Sequence, residues 1–151
     1  MTKMILPTDF RDFLKLLISQ KVKFLLIGGY AVVHYGFPRY TGDIDIWVES
    51  GLVNAEKLVL CLKKFGFDIP KVTTDLFSNP GKIIRLGEEP FRIELMTKID
   101  GVVFERAFKN KVKLKFDGLI IPVISLKDLR KNKKASGRAK DLSDLENLPK
   151  S

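Results

Sequence analysis

Apolar residues recur along this chain at two periods, about 3.6 and about 2, and the switches between them divide it into elements. Phe10, Phe13, Leu14, Leu17 and Ile18 share one helical face after Thr8, whose hydroxyl suits an N-cap, so a first amphipathic helix is expected to run to about Gln20. The apolar run Phe24–Ile27 predicts a buried strand. Gly28 and Gly29 end it, and residues 30–35 predict a short helix closed by Gly36. After a loop over residues 37–42, alternation over residues 43–48 predicts a second strand. A stripe through Leu58, Cys61, Leu62 and Phe65 predicts a helix over Leu52–Phe65, stopped by Gly66.

Farther along, Asp75-Leu76-Phe77 reads as a helical turn and Asn79-Pro80-Gly81 as a break. Residues 82–86 and 91–96 predict a hairpin across Gly87-Glu88-Glu89-Pro90, and Val112–Phe116 with Leu119–Val123 a second one across Asp117-Gly118. Ser125 caps a short helix, and Leu142, Leu145 and Leu148 mark a final helix after Gly137. This order, without internal repeats, predicts an α/β or α+β protein with a mixed central sheet flanked by helices. With 151 residues, the chain is read as a single domain, residues 1–151, ending in a basic helical segment, residues 125–151.

Composition excludes little but shifts the picture in two places. The 45% hydrophobic and 30% charged residues are ordinary for a water-soluble protein, and no apolar run approaches the roughly 20 residues of a membrane span. Met1-Thr2-Lys3-Met4-Ile5-Leu6-Pro7 lacks the pattern of a secretory signal, and the one cysteine, Cys61, reads as a buried helix residue; a reducing cytoplasm is the expected setting. The net charge of +9 is concentrated in residues 127–140, where Lys127, Arg130, Lys131, Lys133, Lys134, Arg138 and Lys140 oppose Asp128 alone. Such a stripe can meet RNA or a triphosphate, while an isolated charge run reads first as a solvated face.

The chemistry lies in Asp43-Ile44-Asp45-Ile46. Alternation puts both aspartates on one face of a strand, where they repel unless a cation lies between them, and magnesium with carboxylates and substrate phosphates is the commonest such arrangement. Gly28 and Gly29, between a strand and a helix, leave room for a phosphate beside unpaired backbone N–H groups. Glu94 in Arg92-Ile93-Glu94-Leu95 points away from the core face and is a candidate third acid; the plain alternative is a solvated glutamate paired with Arg92.

Ile27-Gly28-Gly29, thirteen further residues, Asp43-Ile44-Asp45-Ile46 and the later Arg92-Ile93-Glu94-Leu95 together resemble the nucleotidyltransferase superfamily typified by DNA polymerase beta. Gly28-Gly29-Tyr30-Ala31, His34-Tyr35-Gly36, Arg39, Thr41-Gly42-Asp43-Ile44-Asp45 and Lys140-Asp141-Leu142-Ser143-Asp144-Leu145 look like the small prokaryotic nucleotidyltransferases related to AbiEii abortive-infection toxins. The resemblance, over roughly residues 22–148, implies a nucleotidyltransferase fold and transfer of a nucleoside monophosphate from a nucleoside triphosphate, with magnesium or manganese. It implies that Asp43 and Asp45 hold metals bridging the triphosphate, that Glu94 helps hold the metal activating the acceptor hydroxyl, and that Gly28 and Gly29 contact phosphates. The third acid is often aspartate in such enzymes; Glu94 is a methylene longer. The acceptor is RNA such as tRNA, a protein or a small molecule, and a toxin-antitoxin or phage-defence setting with a cognate partner protein goes with the resemblance.

Other residues carry two readings. Arg39 and Thr41 could hold phosphates or fix the loop, and Lys140 could reach a phosphate or be a surface lysine. Trp47 shares the parity of the aspartates and could stack on a base or pack at the cleft edge, while His34 reads as structural. A glycosyltransferase would need an acceptor domain, and a nuclease of the Asp and Glu-x-Lys type would want lysine where Met96 stands. Neither the Walker nor the dinucleotide fingerprint is present. The rival from another class is a catalytically silent nucleotide- or RNA-binding module, or a toxin-antitoxin partner, on the same fold.

Overall fold

The computed structural model describes residues 6–88 and 90–150. Met1 to Ile5 of the segment read as lacking a secretory signal, and Glu89 of the expected hairpin turn, lie outside the described residues. The elements run α1 (Thr8–Ser19), β1 (Phe24–Ile27), α2 (Gly28–His34), β2 (Ile44–Val48), α3 (Leu52–Phe65), α4 (Thr74–Phe77), β3 (Ile83–Glu88) and β4 (Phe91–Met96). They continue with α5 (Phe104–Lys109), β5 (Val112–Phe116), β6 (Leu119–Val123), α6 (Leu126–Ser136) and α7 (Ala139–Asn147).

The strands form one sheet of six in the order β3-β4-β2-β1-β6-β5. It is mixed, as expected: β2 with β4 and β1 with β6 are parallel, and the other neighbours are antiparallel. Register assigns the faces, because partners across a ladder point to the same side. One row is Val123, Leu26, Ile46, Leu95 and Ile84, all buried. The opposite row is Ile27, Asp45, Glu94 and Arg85.

Helix α1 covers the apolar row. Its Phe10 meets Phe91 of β4 edge-on at 6.1 Å, and its Phe13 meets Phe65 of α3 at 5.2 Å. Phe10, Phe13, Leu14 and Leu17 are fully buried, each contributing about 1.5–3 kcal/mol. Cys61 is buried in α3, as expected. On the other face, Phe104 of α5 stands edge-on to Trp47 at 5.0 Å. That face is therefore apolar around Trp47 and polar around Asp45 and Glu94.

The expectations for Phe24–Ile27, Leu52–Phe65 and the second hairpin coincide with the elements found. Asp117 and Gly118 both have positive φ, 49° and 79°, the backbone that a two-residue turn matched to strand twist requires. Several boundaries differ for physical reasons. Thr8 is the first helical residue rather than the cap, with Pro7 before it and no side-chain cap bond. The glycine pair opens α2 rather than preceding it. Strand β2 begins at Ile44, because the ladders on its two sides start at Ile44 against Ile93 and at Asp45 against Ile27, one and two residues past Asp43. Strand β3 continues to Glu88, since Gly87 and Glu88 pair with Arg92 and Phe91.

Ser125 caps α6 by accepting from the Asp128 N–H at 3.2 Å, but α6 is an 11-residue helix rather than a short one. In α7 the leucine reading fails at Leu142, which is 49% exposed; Asp141 and Asp144 point inward instead. Helix α5 was not expected, since only Phe104 and Ala107 of its six residues are buried and the period is too short to read. No helix among the described residues is long and apolar enough to cross a membrane.

Candidate active site

Strand β2 delivers Asp45 against the start of α2. A Cβ added at Gly28 would collide with Asp45 Oδ2, and Gly28 adopts φ +67°, so glycine is required on both counts. A Cβ at Gly29 would collide with the Thr41 hydroxyl. The glycine pair thus seats the acid strand and the loop before it, which the phosphate reading alone did not anticipate.

Asp45 and Glu94 are register partners on parallel strands, and Asp43 lies two residues ahead of Asp45. Asp45 Oδ1 is buried with no hydrogen-bond partner among the described residues. Burial first, then repulsion from Glu94 and Asp43, push the Asp45 carboxyl up to about 7; Lys133 and Lys140 pull the other way. Asp43 accepts from Arg92, from Nε to Oδ1 at 3.3 Å and from Nη2 to Oδ2 at 3.2 Å. Glu94 pairs with Arg85, its cross-strand neighbour, at 3.2 Å. The alternative reading paired Glu94 with Arg92; register gives it Arg85.

A cleft of about 770 Å³ opens over these acids, and Gly28, Gly29, Arg39, Thr41, Asp43, Asp45, Glu94 and Lys140 all line it. The structure therefore brings every expected site residue to one cavity. Thr41 donates its hydroxyl to the Asp43 carbonyl at 3.3 Å. Lys140 and Lys98 are exposed cations on the same cavity. Trp47 is buried to 1% exposure against Phe104, which is packing rather than stacking on a ligand, and its Nε1 has no partner among the described residues. His34 rests edge-on to Tyr35 at 4.8 Å, burial lowers its pKa, and it is not among the cleft's lining residues.

The basic segment is not one solvated stripe. Lys133 is 5% exposed and its ammonium lies 3.2 Å from Asp141 Oδ1 and 3.0 Å from Asp144 Oδ2. Arg138 holds Asp141 by a 2.7 Å bond from Nε to Oδ2, and Arg39 donates from Nη2 to Asp144 Oδ2 at 2.9 Å. Arg39 Nε, 2.8 Å from Asp144 Oδ1, makes an ion pair without hydrogen-bond alignment. Burial alone would raise the Asp141 carboxyl, but the bonds and charges of Arg138 and Lys133 outweigh it and hold it at about 2. Sequence reasoning missed Lys133, Asp141 and Asp144 as one cluster, although two acids three apart on a short helix were the visible signal. It missed Arg85 too, which only the strand register reveals.

The donor chemistry fits a divalent cation. Carboxylates are the hard oxygen ligands magnesium takes, one Asp45 oxygen is buried without a partner, and the repulsion among three acids is what a cation relieves. Among the described residues, no three acidic, histidine or cysteine side chains are drawn together as a ready metal cluster; Asp43 and Glu94 lean on Arg92 and Arg85.

A mixed sheet of this order, with acids of parallel neighbouring strands opening on a glycine-bordered cleft, defines a protein of the nucleotidyltransferase fold. Residues 7–151 match the family described as nucleotidyl transferase of unknown function (DUF2204), and the chain belongs to that family. Among solved structures it is similar to a candidate nucleotidyltransferase from Thermotoga maritima, with 19% identity, a TM-score of 0.63 and coverage of 90% of this chain and 87% of that one. It is also similar to the lincosamide antibiotic adenylyltransferase LnuA in its lincomycin-bound form, with 18% identity, a TM-score of 0.61 and coverage of 97% of this chain and 98% of that one. No curated protein matches the sequence.

Proposed function

We propose that the chain transfers a nucleoside monophosphate from a nucleoside triphosphate to an acceptor hydroxyl in a magnesium- or manganese-dependent reaction. The observation that carries this reading is that Asp43, Asp45 and Glu94 all line one cleft, with an Asp45 oxygen left without a partner among the described residues. Asp43 and Asp45 would hold metal at the triphosphate and Glu94 would help hold metal at the acceptor. When bound, the metal would neutralise phosphate charge and lower the pKa of the acceptor hydroxyl. Gly28 and Gly29 would border the phosphates, Thr41 bonds the Asp43 carbonyl and fixes the backbone there, and Lys140 would supply a mobile positive charge. The acceptor hydroxyl gives up its proton to solvent, its oxygen forms a bond to the α-phosphorus, and the bond to pyrophosphate breaks.

The acceptor belongs to one of three classes: RNA such as tRNA, a protein, or a small molecule. LnuA, on this fold, is a lincosamide adenylyltransferase, which supports the small-molecule class. RNA and protein are the acceptors that would accompany a role like that of AbiEii-related toxins with a cognate partner protein. The pairing of Asp43 with Arg92 and of Glu94 with Arg85 favours one second reading, a silent binding module in which guanidinium groups permanently neutralise these acids. Incubating the protein with α-labelled triphosphates, magnesium and cell extract decides between them. Label transfer that chelation abolishes supports the enzyme; triphosphate binding without any transfer overturns it in favour of the module.

A further inference from the structure

Helix α7 buries charge as well as apolar surface. It turns Asp141 and Asp144 inward, each 1% exposed, while Leu142 is 49% exposed. Two buried carboxylates are unfavourable unless each is matched. Lys133 of α6 matches both, and Arg39 matches Asp144 from the far side, out of the loop that follows α2. The same guanidinium donates from Nη1 to the Tyr40 carbonyl at 3.1 Å, and the next residue, Thr41, bonds the Asp43 carbonyl. One continuous set of bonds therefore runs from α7, through Asp144 and Arg39, into the backbone that leads to the acid strand. Lys140 precedes Asp141 directly, on the first turn of the helix so tied.

We propose that Arg39, acting through Asp144, is a positioning residue rather than a phosphate ligand: it fixes α7, and with it Lys140, against the segment carrying Asp43 and Asp45. The Arg39 side chain is 16% exposed and both its terminal nitrogens are engaged, so little of the guanidinium is left for a ligand. The loss of Arg39 and the loss of Asp144 then break the same link. This inference rests on the reading of the cleft as a nucleotidyl-transfer site with Lys140 at the triphosphate.

The test compares Arg39→Gln, Asp144→Asn and the double variant with wild type in label transfer from α-labelled ATP with magnesium and a fixed amount of cell extract as the source of acceptor, read as apparent kcat and KM for ATP. Both single variants should lower kcat by about tenfold or more, because displaced groups lose their alignment, with the double variant no worse than either. KM for ATP should stay within about threefold. A rise in KM at preserved kcat in Arg39→Gln, with Asp144→Asn unaffected, would make Arg39 a phosphate ligand and overturn the proposal. Hydrogen exchange supplies a readout that needs no activity. Asp144→Asn should quicken exchange at Tyr40 to Asp43, and Arg39→Gln should quicken it across residues 139–144. If wild type transfers no nucleotide, the functional reading fails, while unchanged exchange in both segments overturns the positioning role itself. Should Arg39→Gln not fold, Arg39→Lys keeps the charge without the two-pronged geometry; it must show the same slowed turnover and quickened exchange, and an unchanged pattern overturns the proposal.

Discussion

Asp45 and Glu94 leave the sheet side by side, because β2 and β4 are parallel and place the two residues in register. Burial first, and then the charges of Glu94 and Asp43, disfavour the charged form of Asp45. Asp43→Asn with Asp45→Asn should fold and lose most magnesium-ATP binding in a calorimetric titration. Unchanged binding in a folded double variant would remove these acids from the site.

The same burial and crowding predict a pH dependence. The Asp45 carboxyl titrates near 7 in the folded chain against 3.8 as its ordinary value, so the folded state holds its proton longer. The associated stability is complete below about pH 4 and is lost as pH rises through about 7. In chelator, wild type should therefore weaken relative to Asp45→Asn between pH 4.5 and 8.5, by up to about 4 kcal/mol at about 1.4 kcal/mol per pKa unit. Urea midpoints across that range measure it; a constant difference between the two proteins would show that neither burial nor neighbouring charge raises the Asp45 pKa.

Gly29→Val should abolish triphosphate binding with a near-native circular dichroism spectrum, but a side chain there also strikes Thr41. Gly29→Ala combined with Thr41→Gly separates the two effects by removing the hydroxyl. Binding that recovers in the combination would make Gly29 a seat for the loop alone. Gly28→Ala meets Asp45 and a left-handed backbone at once, and should cost about 1–3 kcal/mol from the backbone conformation alone. Thermal midpoints check this.

What was legible in the sequence is what local chemistry decides. The stripe from Leu58 to Phe65, the left-handed Asp117-Gly118 turn and the alternation around Asp43 and Asp45 each specify their element without help from afar. What was hidden is what register and docking decide. Nothing local says that Glu94 takes Arg85 rather than Arg92, because the partner is chosen by the ladder between β3 and β4. Nor does a leucine pattern reveal that α7 docks on Asp141 and Asp144; that follows from Lys133 and Arg39, which arrive from α6 and from a loop 105 residues away from Asp144.

Glu94→Gln should retain much of the triphosphate binding and lose transfer, because the aspartates remain as the main anchors while the acceptor loses its activation. It also releases Arg85 from its partner, so Arg85→Gln is the control for a merely broken pair. Wild-type transfer in Glu94→Gln would show the glutamate to be a bystander.

The basic segment divides into residues that can meet a polyanion and one that cannot. Lys131 and Lys134 are exposed on α6, whereas Lys133 is buried between Asp141 and Asp144. If the acceptor is RNA, filter binding to a tRNA pool should weaken steeply with salt, and Lys131→Gln with Lys134→Gln should flatten the log–log slope by up to about 2, at about 0.9 per phosphate neutralised. Magnesium-ATP binding should survive those changes. Lys133→Gln should behave differently: it leaves two buried carboxylates short of a shared cation, a loss of about 3–5 kcal/mol for a broken buried pair, read in the urea midpoint rather than in the salt slope. Salt-insensitive or absent RNA binding by wild type would strike RNA from the acceptor classes. The exposed lysines would then be a solubilising face, and Lys133 would keep its structural part in either case.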